Sequence, residues 1–318
     1  MNTKVLIFIP AKDEEKTIGS VIKESLTEVE KIVGQKPNIL VIDDGSIDNT
    51  MATAQKTGAI AIRHAKNLGL ARTFQEAVEY ALENYFDIML TIDADGQFST
   101  KDIPTLLNPV LADEADFTTG SRFLKNSQIS GMPKILLAGN WIVSKIISFI
   151  LKRTYKDVSC GFRVYNREAL LNLNLFGNFT YTQEVFLNLG FKNLRIMEKP
   201  ITVQYFRGRR SRIARSLFNY GWQTKKLCLK FMIYYIPMRF FGTLAAIFFS
   251  TGFLIDFVLG IRYCQTGFVT PYKVIGIIGL TMIGLGILFF IAGTFLQAVS
   301  RLQTTADRLL YYARKKNG

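Results

Sequence analysis

The 318-residue sequence is poor in the residues that build disulfide frameworks and multi-histidine metal centres. Its cysteines, Cys160, Cys228 and Cys264, have no CxxC spacing, which excludes a zinc-ribbon site and fits a reducing compartment. His64 is the single histidine. No GxGxxG follows the first apolar run and no GxxxxGKS/T occurs, so neither a dinucleotide-binding fold nor a P-loop is supported.

Charged residues are nearly absent from two stretches in the last third of the chain. Residues 240–261 contain one, Asp256, and residues 274–299 contain none. About 20 apolar residues suffice for a helix to cross a bilayer, so two transmembrane helices are predicted within 239–299. An acid inside a span is costly, and Asp256 is therefore either a functional residue, an interface residue or part of a helix–helix contact.

Acidic residues are absent from 207–230, where eight basic residues occur, and the basic tail 300–318 follows the second span. The loop 263–272 between the spans is uncharged. The positive-inside rule then predicts a multi-pass protein of the cytoplasmic membrane, with both termini in the cytoplasm and the loop outside.

Two further stretches combine large apolar side chains with lysines. Residues 134–153 and 213–238 have this composition, which is typical of helices that lie in the headgroup layer of a membrane. For the first stretch, an ordinary domain helix fits the pattern equally well. The predicted organisation is a soluble domain over 1–212, juxtamembrane helices over 213–238, the two spans and the basic tail.

The first 120 residues alternate apolar runs with helix-like segments. Helices are expected over 14–31, 49–57 and 71–85, with a short apolar strand before each and a fourth strand ending near Ile92. Alternating strand and helix predicts an α/β fold, with a mainly parallel sheet and helices on both faces. Ligands of such sheets bind at the carboxyl ends of the strands.

Acidic residues follow three of these predicted strands. The ends read PAKDEE (10–15), DDGS (43–46) and DADGQ (93–97). Asp93 and Asp95 are one residue apart, and two carboxylates so close repel each other unless a cation lies between them. Hard cations bind carboxylate and phosphate oxygens together, so the pair predicts a site for Mg²⁺ or Mn²⁺ and a phosphorylated ligand.

The net charge of +14 independently predicts an anionic partner: nucleic acid, a phosphorylated substrate or a membrane surface.

Several motifs, taken in order, resemble family-2 glycosyltransferases of the Rossmann-like GT-A fold, and especially dolichol-phosphate mannose synthase and bacterial polyprenyl-phosphate glycosyltransferases. They are IPAKDEE (9–15), VIDDGSIDNT (41–50), KNLG (66–69), TIDADGQF (91–98), GSR (120–122) and DVSCGFRVYNREAL (157–170). The likeness covers residues 4–212, and the two predicted spans resemble the membrane anchor of many such enzymes. It implies an inverting hexosyltransferase that uses a nucleotide sugar such as GDP-mannose or UDP-glucose.

On the donor side, the resemblance implies a pocket for the nucleotide sugar. Its residues would be Pro10, Ala11, Glu14, Asp43, Asp44, Asp93 and Gln97. Asp43 is favoured over Asp44 for the base. Asp93, Asp95 and Gln97 would surround the metal, and so the diphosphate.

On the acceptor side, the resemblance implies a polyprenyl phosphate such as dolichyl or undecaprenyl phosphate. Arg122 and Arg163 match positions near the acceptor phosphate, and Asp157 is placed to orient an arginine. A late basic motif that covers the diphosphate corresponds to Arg207, Arg209, Ser211 and Arg212, although Arg209 stands where a glycine is usual. The expected catalytic residues are Asp95, Asp157, Arg122 and Arg163.

Other functions remain open at this point. A processive polysaccharide synthase would need a QxxRW-like segment and more spans, and neither is found. A glycan or another lipid could be the acceptor. A non-catalytic basic membrane scaffold or nucleic-acid binder is disfavoured because the acidic strand ends would repel phosphodiesters. The spans leave room for a homo-oligomer.

Overall fold

The computed structural model describes residues 3–132, 134–175, 181–205 and 217–317. Contacts within the chain divide it into two units, one of residues 1–227 and 310–318 and the other of residues 228–309. The described elements of the chain up to residue 204 are β1 (Val5–Ala11), α1 (Ile18–Val33), β2 (Asn38–Asp43), α2 (Thr50–Lys56), β3 (Ile60–Arg63), α3 (Leu70–Glu83), β4 (Ile88–Thr91), α4 (Ile103–Leu111), β5 (Phe117–Ser121), β6 (Gln128–Ser130), α5 (Lys134–Leu151), β7 (Arg163–Asn166), α6 (Arg167–Asn172), α7 (Tyr181–Phe191), β8 (Ile196–Pro200) and β9 (Thr202–Gln204). Three helices follow: α8 (Leu217–Tyr235), α9 (Pro237–Thr266) and α10 (Lys273–Asn317).

A seven-stranded sheet forms the first unit's centre, in the order β3-β2-β1-β4-β7-β5-β8. Neighbouring strands are parallel except at β7, which runs antiparallel to both β4 and β5. The predicted mainly parallel α/β sheet is confirmed. The antiparallel strand β7 was not predicted, since nothing in the composition of residues 163–166 indicates its direction. A second, two-stranded sheet pairs β6 with β9.

The sequence explains the middle of the sheet. Every residue of β1 except Pro10 is buried, as expected for a parallel strand covered on both faces. Helix α1 repeats apolar residues at helical spacing and is capped after Val33 by Gly34, which adopts a left-handed conformation with φ of 70°. Helix α1 begins at Ile18 rather than at residue 14, because residues 12–17 form a turn that binds a neighbouring loop.

The second unit contains the end of α8, all of α9 and most of α10. Helices α9 and α10 are both long and apolar enough to cross a membrane. Their packing depends on glycine: a Cβ atom on Gly252 would lie 2.5 Å from the carbonyl oxygen of Gly279 and one on Gly286 would lie 2.8 Å from the nitrogen of Phe249. A Cβ atom on Gly279 would also lie 2.7 Å from Cγ of Asp256. Asp256 therefore belongs to a helix–helix contact, one of the two structural alternatives raised by the sequence. Small residues allow the close backbone approach.

Candidate functional site

The carboxyl ends of β2, β1 and β4 lie side by side, because these strands are neighbours in the sheet. Ala11 pairs with Asp43, and Phe8 pairs with Thr91. The three acidic segments singled out in the sequence therefore emerge at one edge of the sheet, where ligands of parallel sheets bind.

The turn after β1 is tied to the turn after β2 by hydrogen bonds. The backbone nitrogen of Asp13 donates to Oγ of Ser46 at 2.9 Å, and that of Glu14 donates to Oγ1 of Thr50 at 2.7 Å. In return, the nitrogen of Ile47 donates to Oδ1 of Asp13 at 2.9 Å. These bonds hold residues 12–17 out of the helix and fix Glu14 beside the end of β2.

Asp43 is fully buried and keeps one oxygen available. Its Oδ1 accepts hydrogen bonds from both the nitrogen and the hydroxyl of Ser46. Its Oδ2 has no hydrogen-bond partner among the described residues, although Nε of Arg63 lies 3.5 Å away. A buried carboxylate oxygen in this state is an acceptor for an N–H group of a ligand.

Asp44 has a structural role, in contrast to its neighbour. Its Oδ1 accepts from the backbone nitrogen of Leu68 at 2.7 Å and lies 2.9 Å from Nδ1 of His64, while its Oδ2 accepts from the nitrogen of Gly69 at 2.9 Å. These bonds attach the KNLG segment to the residue that follows β2. Both oxygens are thus engaged by the protein, so contact between Asp44 and a nucleotide stays a prediction.

His64 bridges Asp44 and Glu76, since its Nε2 lies 2.8 Å from Oε2 of Glu76. Burial by itself lowers the pKa of His64, but the hydrogen bonds and charges of the two carboxylates outweigh it, and the pKa is raised. Burial likewise raises the pKa of Asp44, and its hydrogen bonds bring it below the usual range. His64 thus joins the segment after β2 to helix α3.

Asp93 and Asp95 come shortly after the end of β4, at the same edge of the sheet as Asp43. Burial and the negative charge of Asp95 raise the pKa of Asp93 to about 7, against the opposing charges of Arg122 and Arg163. Oδ1 of Asp95 accepts a hydrogen bond from the backbone nitrogen of Gln97 at 3.0 Å. The pair is a region of excess negative charge whose repulsion a cation would relieve.

Whether these residues fit a divalent cation depends on the donor set. Among the described residues, no group of three or more His, Cys, Asp or Glu side chains is placed to hold an ion. Mg²⁺ in phosphate-transfer sites is usually bound by one or two carboxylates and by the substrate's phosphates. Two carboxylates at an open strand end fit that kind of site, and not a cage made entirely of protein.

Gly161 lies directly against Asp93. A Cβ atom at this position would lie 3.0 Å from Oδ2 of Asp93, and the carbonyl oxygen of Gly161 accepts a hydrogen bond from Oγ1 of Thr91 at 2.7 Å. A side chain at this position would press against the carboxylate. Asp93 thus owes its position partly to a missing side chain.

Arg122 and Asp157 form a buried ion pair on the other side of the edge. Nε of Arg122 donates to Oδ2 of Asp157 at 2.6 Å, and its second amino group donates to Oδ1 at 2.8 Å. Tyr205 and Ser159 accept further hydrogen bonds from the same guanidinium, both at 2.8 Å. Burial by itself raises the pKa of Asp157, but the charge and hydrogen bonds of Arg122 outweigh burial, and the pKa is lowered. The arginine that Asp157 was expected to orient is therefore Arg122.

Arg163 is fully buried at the start of β7, beside Thr91 of β4. It donates to the carbonyl oxygens of Cys160 at 2.7 Å and of Thr182 at 2.9 Å. Three aromatic rings, those of Phe117, Tyr181 and Phe186, surround its guanidinium at 5.3 to 5.5 Å. These contacts show Arg163 supporting the loop before β7. Its proposed proximity to an acceptor phosphate stays a prediction.

The basic motif at 207–212 lies outside the described residues. The roles expected of Arg207, Arg209, Ser211 and Arg212 therefore stay predictions. Pro10 and Ala11 lie at the end of β1, in register with Ile42 and Asp43.

Sequence reasoning overlooked helix α7, which is buried from Tyr181 to Gly190 although it carries polar residues such as Gln183 and Glu184. Tyr181 at its start stacks on Phe74 with ring centroids 4.0 Å apart. Burial raises the pKa of Tyr181 well above its usual value, and the nearby charge of Asp93 adds to the effect. The signal was present as YTQE before an apolar run, but a buried polar helix has no distinctive periodicity.

Comparisons with known proteins agree on one family. The family model described as glycosyl transferase family 2 matches residues 6–173. A UDP-N-acetylglucosamine–dolichyl-phosphate N-acetylglucosaminyltransferase of Methanococcus voltae is 30% identical over 222 residues, which cover 63% of this chain and 86% of the relative. A polyprenol monophosphomannose synthase of Mycolicibacterium smegmatis is 25% identical over 212 residues, covering 63% of this chain and 77% of the relative.

Among solved structures, the fold of this chain resembles that of glucosyl-3-phosphoglycerate synthase from Mycobacterium tuberculosis in complex with Mn²⁺, uridine diphosphate and phosphoglyceric acid. The TM-score is 0.54 at 18% identity, over 72% of this chain and 78% of that one. This likeness concerns the fold alone.

Proposed function

Because the chain belongs to glycosyl transferase family 2 and is a glycosyltransferase, we propose that it moves a hexose from a nucleotide sugar to a polyprenyl phosphate at the cytoplasmic face of a membrane. Relatives named as dolichyl-phosphate and polyprenol transferases support sugar transfer to a polyprenyl phosphate. The observation that carries the proposal is the carboxylate pair Asp93 and Asp95, at the strand edge shared with Asp43. Such a pair is suited to hold a diphosphate through a cation.

For the donor, the open edge supplies separate contacts for each part of a nucleotide sugar. Oδ2 of Asp43, which has no hydrogen-bond partner among the described residues, would accept an N–H group of the base. Pro10, Ala11 and Glu14 would line the pocket around the nucleoside. Asp93, Asp95 and Gln97 would hold Mg²⁺ or Mn²⁺ against the diphosphate. The bound cation would supply positive charge to the diphosphate oxygens.

For the acceptor, the chain's own task is to place an anion. A phosphate monoester already carries its negative charge, so its oxygen needs no strong general base to attack the sugar carbon. The side chains must instead hold the acceptor phosphate near the acidic strand ends, which repel it. Arg122, oriented by Asp157, would supply the positive charge for this. Direct attack by the phosphate oxygen would form the new carbon–oxygen bond as the bond to the nucleoside diphosphate breaks. The sugar carbon's configuration would be inverted, without a nucleophilic residue of the protein. Burial raises the pKa of the Cys160 thiol to about 12, which agrees with a packing role.

Transfer to extractable lipid tests this function directly. Membranes containing the full chain would be incubated with Mg²⁺ or Mn²⁺, a polyprenyl phosphate and labelled GDP-mannose, UDP-glucose or UDP-N-acetylglucosamine in turn. One donor is expected to label the organic phase, and Asp95→Asn is expected to lower the rate by about 100-fold or more, as for loss of a charge-stabilising group.

The matched control is Glu30→Gln, which removes an exposed acid on α1 and should leave the rate unchanged. Donor binding without labelled lipid would show that the acceptor is not a polyprenyl phosphate. An Asp95→Asn variant as fast as the unaltered chain would disprove the role of the carboxylate pair.

A further inference from the structure

Helix α5 exposes large apolar side chains along one side. The exposed residues and their exposed fractions are Leu137 (46%), Trp141 (59%), Ile142 (51%), Ile146 (40%) and Phe149 (81%). We call these five residues the apolar face of α5. A helix on the surface of a water-soluble domain normally turns charged and polar residues outward, so this face calls for another solvent or a partner.

The opposite side of α5 combines buried apolar residues with polar groups that bind the loop before β7. Ser144 and Asn140 lie on this side: Oγ of Ser144 accepts from the nitrogen of Val158 at 3.3 Å, and Oδ1 of Asn140 accepts from the hydroxyl of Ser159 at 2.8 Å. The hydroxyl of Ser148 accepts from the nitrogen of Tyr155 at 2.9 Å. Asn140, Ser144 and Ser148 are thus bonded to the protein, whereas the five residues of the apolar face are exposed.

That loop is part of the candidate site. Ser159 accepts a hydrogen bond from the guanidinium of Arg122 at 2.8 Å, and Asp157 holds the same guanidinium through two oxygens. A continuous path of hydrogen bonds therefore leads from Asn140 on α5 to the arginine on the acceptor side. Displacement of α5 would shift the loop and the arginine together.

The charge of the helix indicates what covers its apolar face. Residues 134–153 contain no acid and four basic residues, Lys134, Lys145, Lys152 and Arg153. Nζ of Lys145 lies 5.8 Å from the ring of Trp141. An apolar face that contains a tryptophan and is interspersed with lysine matches the layer between lipid headgroups and acyl chains, where lysines extend to anionic headgroups.

The chain's other tryptophan repeats this combination. Trp222 on α8 is 47% exposed, with Nζ of Lys225 and Lys226 at 5.3 and 5.6 Å from its ring. Helix α8 ends at Tyr235, and the membrane-length helix α9 begins at Pro237. Chain continuity therefore keeps α8 near any bilayer that α9 enters.

We propose that the apolar face of α5 inserts into the headgroup layer of a membrane containing anionic lipid, and that α5 thereby sets the position of Arg122 relative to the lipid surface. Insertion is argued from the exposed face, its charge and the tryptophan–lysine pairs. The second clause rests on the proposed function, since it concerns a lipid acceptor whose phosphate lies in the same layer.

Insertion can be tested in the full chain because the sequence contains two tryptophans. In Trp222→Phe, Trp141 is the remaining tryptophan. The protein would be placed in nanodiscs of phosphatidylcholine and phosphatidylglycerol, with lipids brominated either near the headgroup or near the chain end. Trp141 should emit at shorter wavelength than an exposed tryptophan and be quenched most by bromine near the headgroup, as expected for insertion by about 5–10 Å.

Trp141→Phe is the control and reports Trp222 alone. Quenching of Trp141 by aqueous iodide, without quenching by brominated lipid, overturns the proposal. So does protection from both quenchers, since the face would then be covered by protein, such as a second copy of the chain. Neither outcome depends on which sugar is transferred, or on whether any sugar is.

The link to Arg122 has its own readout. Replacing two residues of the face, Ile146→Gln with Phe149→Gln, should raise the KM for polyprenyl phosphate at least about tenfold while the KM for the nucleotide sugar stays constant, because less apolar area enters the lipid. Ile60→Gln, which alters an exposed apolar residue on β3, is the matched control. An unchanged acceptor KM in a chain whose Trp141 is quenched by lipid would overturn the effect of α5 on Arg122, while insertion stands.

If no donor labels lipid in any variant, the proposed function fails and the quenching result remains valid.

Discussion

Gly161 leaves room for the Asp93 carboxylate, since a Cβ atom there would lie 3.0 Å from Oδ2 of Asp93. Gly161→Ala should therefore displace the carboxylate by a fraction of an ångström and lower the rate of sugar transfer about 10- to 100-fold, with little change in melting temperature. Steady-state transfer rates and thermal unfolding of the purified chain would measure both effects.

The control for this change is Gly139→Ala on α5, where nothing lies within 4 Å of the added Cβ atom. It should leave the rate unaltered. A Gly161→Ala variant with an unaltered rate would contradict the importance of this contact, and one that fails to fold would show that Gly161 serves packing instead.

Individual residues differ in how far their surroundings could be predicted from the sequence. Asp43 and Asp44 are adjacent and chemically identical, and the strand pattern predicted only that both follow β2. Their contrast depends on the KNLG segment, whose nitrogens satisfy Asp44 and leave Oδ2 of Asp43 without a hydrogen-bond partner among the described residues. Such a contrast depends on contacts about 25 positions away in the chain, which local patterns do not contain.

Secondary-structure elements were more predictable than their ends or directions. Apolar runs located β1, β2 and β4, because a buried parallel strand is apolar on both faces. The start of α1 was placed four residues too early, since the hydrogen bonds that hold residues 12–17 in a turn come from the loop after β2. The direction of β7 could not be predicted, because it is fixed by pairing with strands distant in sequence.

The packing of α9 on α10 depends on particular glycines, and this makes the hairpin testable. Gly252→Ala and Gly279→Ala would each force a Cβ atom against the facing helix, and each should lower the free energy of unfolding by about 1–3 kcal/mol. Unfolding of the full chain in mixed micelles titrated with dodecyl sulfate would measure this difference.

Gly260→Ala and Gly284→Ala provide matched controls in the same two helices, because a Cβ atom added at either position meets nothing within 4 Å. These variants should be neutral or slightly stabilising, since alanine favours a helix over glycine. Equal losses at all four positions would mean that the cost arises from the helices themselves and not from their contact.

At the scale of the whole molecule, cysteine accessibility tests the predicted orientation. Cys264 is exposed near the end of α9, whereas Cys160 and Cys228 are buried. Burial raises the pKa of those two thiols to about 12 and about 11, which makes them poor nucleophiles. In intact cells, a membrane-impermeant maleimide should therefore label the chain at Cys264 alone.

Cys264→Ser should abolish this labelling. Labelling that requires permeabilised cells would place the loop between α9 and α10 on the cytoplasmic side and reverse the predicted orientation. Labelling of intact cells that persists in Cys264→Ser would show that a buried thiol becomes accessible.

The antiparallel course of β7 has a consequence for how such a protein can diversify. A parallel strand delivers the residues after it to the ligand edge, but β7 delivers the residues before it, including Asp157 and Gly161. The two halves of the edge are therefore encoded by separate stretches of the gene, one before residue 100 and one after residue 120. Under the proposed function, the first stretch would hold the nucleotide and the second the acceptor, so mutation of the second would exchange the acceptor over evolution without redesigning the nucleotide site.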